Sequence, residues 1–147
     1  MYRKENKLYY SWYDYSTDMK NLHAFDFNHV VGIYRGSLGM ATHISNVFEV
    51  PMSIVGFQTR DGKDKEPYMI YRKGGLKRGT TNILVVDDIY DSGYTMDRVM
   101  NFLSHPSIDQ IQGFCLFGKE NKLNVSYANK HDGTWIVFPW ETINESF

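Results

Sequence analysis

Apolar and polar positions alternate along the chain in blocks that read as strands and helices. His29-Val-Val-Gly-Ile-Tyr34 is β-branched and apolar and runs straight into Arg35-Gly36-Ser37, which predicts a buried strand ending in a tight turn. Leu38, Met40, Ala41, Ile44, Val47 and Phe48 recur at helical spacing, which predicts a helix from Leu38 to Phe48. Ser53 to Phe57 reads as another strand. Asn82-Ile-Leu-Val-Val-Asp87 is the clearest buried strand of the chain, and a helix is predicted after it from Thr95 to Leu103. Ile111 to Phe117 is a further strand, followed by a polar loop and two short runs, Val125 to Ala128 and Trp135 to Phe138. At the other end, Lys7 to Trp12 reads as a short strand, with Ser16 or Thr17 capping a helix toward Phe25. Residues 59–79 break the pattern: they are polar, charged and punctuated by glycine, with a strand expected at Tyr68 to Tyr71.

Strands alternating with helices imply crossover units, hence an α/β fold with a mainly parallel central sheet flanked by helices. The wholly apolar run Ile83 to Val86 fits a strand covered on both faces. In such sheets ligands bind beyond the carboxyl ends of the strands, which makes the residues just after each strand the candidates for chemistry.

Composition adds exclusions. A length of 147 residues suits one domain with a sizeable core. The formal net charge of -1 argues against a nucleic-acid partner. The single cysteine, Cys115, excludes an internal disulfide and suits a reducing compartment. No apolar stretch at the start reads as a secretory signal and none is long enough for a membrane span, so a cytoplasmic protein without a membrane partner is expected. The five histidines (His23, His29, His43, His105, His131) lack metal-ligand spacing and read as structural or exposed.

The strongest signal is Asp87-Asp-Ile-Tyr-Asp-Ser-Gly-Tyr-Thr95. Asp87, Asp88 and Asp91 repel one another unless a cation or a hydroxyl-rich ligand offsets them. Ser92, Gly93 and Thr95 stand just before a predicted helix, where backbone N–H groups, hydroxyls and the helix dipole favour an anion. A sugar phosphate carrying a metal ion satisfies both halves. A solvated acidic turn with a helix cap is the plain alternative, and the chain has no P-loop signature.

Val85-Val-Asp-Asp-Ile-Tyr-Asp-Ser-Gly-Tyr-Thr95 resembles the phosphoribosyl-pyrophosphate (PRPP) motif of type I phosphoribosyltransferases. Ser92 stands where threonine is usual, and Tyr94 where a small residue is common. Tyr34-Arg-Gly-Ser-Leu38 resembles the family's pyrophosphate loop, with Ser37 in place of its second glycine. Phe117-Gly-Lys119 and Trp135-Ile-Val-Phe-Pro-Trp-Glu141 resemble the base-binding hood of the xanthine–guanine and hypoxanthine enzymes. The resemblance implies that Asp87 and Asp88 hold the ribose, with Asp88 also contacting Mg²⁺. It assigns the 5′-phosphate to Asp91, Ser92, Gly93, Tyr94 and Thr95, with Asp91 doubling as general base. Pyrophosphate falls to Arg35, Gly36 and Ser37. The purine falls to Lys119 at its 6-oxo group, Trp135 stacked on its ring, and the backbone of Ile136 at its far edge.

The implied activity is Mg²⁺-dependent transfer of phosphoribose from PRPP to guanine, hypoxanthine or xanthine, releasing pyrophosphate, in purine salvage. One domain over residues 1–147 is expected, with a core at about 26–118 and a flexible loop over PRPP at about 59–79. A hood at about 119–147 plus the N-terminal segment completes it, in a homodimer or homotetramer. Alternatives are a regulatory protein of the same fold that senses PRPP or nucleotides, a pyrimidine-type enzyme, and a phospho-receiver domain, whose acidic pair would follow its first strand instead. Charge is partitioned accordingly: residues 60–79 carry seven bases and three acids, whereas residues 87–97 carry four acids and no base.

Overall fold

The computed structural model describes residues 1–60, 64–72, 79–120, 122 and 124–142, with backbone only at 57–60, 64, 65 and 72. Strands β1 (Tyr2–Lys4) and β2 (Lys7–Tyr9) form a hairpin. The strand expected to reach Trp12 stops at Tyr9, and helix α1 spans Trp12–Asp18. The cap is Ser11 rather than Ser16 or Thr17. Its hydroxyl accepts the Asp14 N–H at 3.1 Å, and the Asp14 carboxylate accepts the Ser11 N–H at 2.9 Å. A 3-10 helix, Met19–Ala24, continues toward Phe25.

Strand β3 (His29–Ile33) is followed by helix α2 (Leu38–Phe48), β4 (Met52–Arg60), β5 (Asp64–Arg72) and β6 (Asn82–Tyr90). Helix α3 (Tyr94–Leu103), β7 (Gln110–Gly118), β8 (Val125–Lys130), β9 (Trp135–Val137) and a 3-10 turn at Pro139–Glu141 complete the order. The main sheet has six strands in the order β5-β4-β3-β6-β7-β8, all parallel except β5, which runs antiparallel to β4. A smaller sheet, β1-β2-β9, joins the two chain ends through parallel pairing of Leu8 with Ile136.

Within the stretch expected as a loop, residues 59–60 end β4 and residues 64–72 form β5, which is wider than Tyr68 to Tyr71. Of that expected loop, residues 61–63 and 73–78 lie outside the described residues, as do 121, 123 and 143–147 of the expected hood. Strand β8 pairs with β7, so the core sheet runs past residue 118.

Alternation along the strands explains two apolar layers. Val30, Leu84, Val86, Phe114 and Leu116 face α2, through Met40, Ala41 and Ile44. Val31, Ile33, Ile83, Val85 and Cys115 face α3, through Met96, Val99 and Leu103. A Cβ on Gly32 would lie 2.6 Å from that of Ala41, so glycine lets α2 approach the sheet. Among the described residues no helix is long and apolar enough to cross a membrane.

His29 is fully buried in β3, and its Nε2 lies 2.8 Å from the Ser53 hydroxyl of β4. Burial pushes the imidazole from 6.5 down to about 4. The folded state therefore holds this ring neutral where the unfolded chain would protonate it. The stability this confers is complete above the unfolded value and is lost as pH falls from about 6.5 to 4, by about 3 kcal/mol. Urea unfolding across that window should show this loss, and His29→Gln should flatten the slope.

Candidate active site

Strand order reverses between β3 and β6, since the chain leaves β3 toward β4 on one side and leaves β6 toward β7 on the other. A switch point of this kind opens a crevice at the carboxyl ends of the two strands. The Tyr34–Ser37 turn follows β3, while Asp87 and Asp88 lie within β6, Asp88 two residues before its end at Tyr90. The two ends touch: a Cβ on Gly36 would lie 2.5 Å from Asp88 Oδ2. Only a glycine lets this turn lie against the carboxylate.

Three cavities meet along residues 87–95. The first, about 490 Å³, is lined by Tyr34, Gly36, Tyr68, Asp87, Asp88 and Thr95, among others. The second, about 420 Å³, includes Asp88, Asp91, His131, Thr134, Trp135 and Ile136. The third, about 80 Å³, is formed by the turn itself, including Asp91, Ser92, Gly93 and Thr95. Asp88 thus borders the first and second cavities, Asp91 the second and third, and Thr95 the first and third.

Burial, reinforced by the neighbouring Asp88 charge, pushes the Asp87 carboxyl well above its usual range. Asp87 Oδ1 accepts the Asp88 N–H at 2.9 Å, and Asp88 Oδ1 accepts the Ile89 N–H at 2.7 Å. This crowded pair has the character of a site completed by a cation. Among the described residues no group of three or more His, Cys, Asp or Glu gathers, here or elsewhere, so a cation at this pair would need further oxygens from a ligand. One or two carboxylates with substrate oxygens filling the remaining positions is the donor set Mg²⁺ prefers, so Asp87 and Asp88 fit that ion.

Gly93 begins α3 with φ at 83°, in the left-handed region that favours glycine. A Cβ there would lie 2.5 Å from the Tyr90 hydroxyl. The N-cap, Gly93, has no side chain to cap α3; the Tyr94 N–H donates to the Ser92 hydroxyl at 3.3 Å, and the remaining N–H groups of the first turn are offered to an anion. Asp91 is exposed, and its Oδ1 lies 2.7 Å from the Lys119 ammonium. That pairing holds the Asp91 carboxyl below its usual range. Trp135 is 69% exposed with its ring available, whereas Ile136 is buried at the cavity wall.

Two expected residues sit differently. Ser37 is fully buried, and its hydroxyl accepts the Ile33 N–H at 2.6 Å and donates to the Ile33 carbonyl at 2.7 Å. Its backbone N–H also goes to that carbonyl, at 3.2 Å, so Ser37 locks the turn instead of facing a ligand. Arg35 lines a separate apolar cavity of about 640 Å³ with Trp12, Tyr15, His43 and Trp140, which Gly36 also borders. Tyr68, His131 and Thr134 line the crevice without having been singled out in the sequence. For Tyr68 the signal was an aromatic in a basic stretch. His131 carried none, because spacing tests only for metal ligands.

The family model described as "Phosphoribosyl transferase domain" matches residues 7–146. A xanthine-guanine phosphoribosyltransferase of Roseobacter denitrificans is 24% identical over 120 residues, covering 76% of this chain and 67% of that protein. Two solved structures share the fold. One is a purine phosphoribosyltransferase from Pyrococcus horikoshii (TM-score 0.73, 22% identity, 97% of this chain and 98% of that one). The other is the Helicobacter pylori xanthine-guanine-hypoxanthine phosphoribosyltransferase (TM-score 0.74, 21% identity, 92% and 94%).

Proposed function

Since the chain belongs to the phosphoribosyl transferase family, we propose that it transfers phosphoribose from PRPP to a 6-oxopurine, with Mg²⁺, in purine salvage. The observation that carries this reading is the sharing of Asp88 and Asp91 among the three adjoining cavities. A substrate with a ribose in the middle, a phosphate on one side and a ring on the other requires that connectivity.

In this reading Asp87 and Asp88 accept hydrogen bonds from the ribose hydroxyls, and the α3 N-terminus holds the 5′-phosphate. Gly36 brings the β3 turn alongside for the pyrophosphate. Asp88, with its neighbour Asp87, would hold Mg²⁺, which would supply neutralising charge for the departing pyrophosphate. The bond from the anomeric carbon to pyrophosphate breaks as purine N9 forms its bond to that carbon. Asp91 accepts the proton from N7.

Trp135 offers a face for the ring and Lys119 an ammonium for the 6-oxo group. In the free protein that ammonium is on Asp91. A purine carbonyl drawing Lys119 away would restore basicity to Asp91 as the proton arrives. The resemblance also favours a dimer or tetramer, supported by Trp12, Leu38 and Trp140 exposing large apolar surface beside the Arg35 turn.

Pyrophosphate release from PRPP, with and without Mg²⁺, across guanine, hypoxanthine, xanthine, adenine, uracil and orotate tests the reading. Metal-dependent release with at least one 6-oxopurine is expected. PRPP binding without release by any base would favour a sensing protein instead.

A further inference from the structure

The turn assigned to the 5′-phosphate has an electrostatic defect. Residues 87–97 carry four acids and no base, yet a phosphate monoester arrives with up to two negative charges. Asp91 flanks the turn on one side, and Asp97 lies in the first turn of α3 on the other. Both acids compete with the phosphate for the positive end of the helix. Lys119 answers the first. The second is answered from the β7–β8 connection, by a residue with no sequence motif around it.

Lys122 places Nζ 2.7 Å from Asp97 Oδ2 and 5.8 Å from the centre of the Tyr90 ring. The same nitrogen lies 3.3 Å from where a Cβ on Gly93 would stand, so the ammonium rests against the glycine that opens the helix. We propose that Lys122 is the cation of the 5′-phosphate site: its ammonium neutralises Asp97 and donates to a phosphate oxygen at the α3 N-terminus. An ammonium has three donors; Asp97 engages one and the Tyr90 hydroxyl is a second partner, which leaves one for a phosphate oxygen. Both partners are about half exposed, at 45% and 46%. A pair of that kind contributes little to folding, so its removal reads out binding. The proposal rests on the functional reading above and adds to it a residue far from the motif.

Calorimetry with ribose 5-phosphate and with pyrophosphate, both in the presence of Mg²⁺, separates the two phosphate subsites without needing the base. Lys122→Ala should weaken ribose 5-phosphate by roughly tenfold, in keeping with the loss of a charge-assisted hydrogen bond. Pyrophosphate affinity should stay within about twofold, and Lys122→Arg should restore most of the loss. A structural role alone would not separate the two ligands. Unchanged ribose 5-phosphate binding, or equal loss for both ligands, overturns the assignment of Lys122. A wild-type protein that binds neither ligand overturns the functional reading itself, and this proposal with it.

Discussion

Asp91→Asn should lower turnover by at least about a hundredfold while leaving PRPP binding within a few fold. The substitution keeps size and shape, and the amide oxygen still accepts from the Lys119 ammonium that now lies 2.7 Å away. What it removes is the capacity to take up a proton. General bases contribute on the order of 10²–10⁴ to rate, so the loss belongs in kcat. Asp91 is well placed to show this cleanly, because it is exposed and makes no contact that the fold needs. Its carboxyl lies below the usual range because Lys119 pairs with it, so Lys119→Gln should let it rise toward its ordinary value. If Asp91→Asn turned over at a near-normal rate with saturating PRPP and base, the proton would have to leave by another route. The assignment of Asp91 as base would then fall.

The parts of this arrangement that were legible in the sequence are those specified locally. Ile83 to Val86 is apolar on both faces because β6 lies in the middle of the sheet, with α2 and α3 covering it. The acidic run that ends it needed no tertiary knowledge to stand out. The start of the first helix is not legible because Ser11, Ser16 and Thr17 all offer a capping hydroxyl. The deciding feature was Asp14 three residues after Ser11, a spacing that closes a reciprocal capping pair.

Contacts made across the chain were not legible. Lys122 meets Asp97 over 25 positions, and His131 reaches the cavity lined by Trp135 because β8 pairs with β7. Ser37 reads as a loop residue able to meet a ligand until its hydroxyl is seen bridging the backbone of Ile33. Arg35 is assigned to pyrophosphate by the resemblance and by its charge; what the sequence does not show is its surroundings, since Gly36 borders both cavities and Arg35 lines the apolar one.

That position of Gly36 leads to the second large effect. Gly36→Ala should reduce PRPP affinity by between about five- and a hundredfold, because the added methyl would stand 2.5 Å from Asp88 Oδ2. The obstacle sits within β6, where Asp88 is tied by its oxygen to the Ile89 N–H at 2.7 Å. Relief must come from moving the Asp88 carboxylate or the Tyr34–Ser37 turn. The turn resists, since Ser37 ties it to Ile33 through its hydroxyl and its N–H. Displacing Asp88 disturbs the walls of two cavities together, which in the proposed reading are the ribose and metal site and the base site. Gly39, three residues on in α2, supplies the control, because a Cβ there meets nothing within 4 Å. Gly39→Ala should keep PRPP affinity and gain up to about 1 kcal/mol of stability from helix propensity. Titration of PRPP into both variants in the presence of Mg²⁺ checks the pair. Equal affinities would mean that the contact between Gly36 and Asp88 does not govern the site.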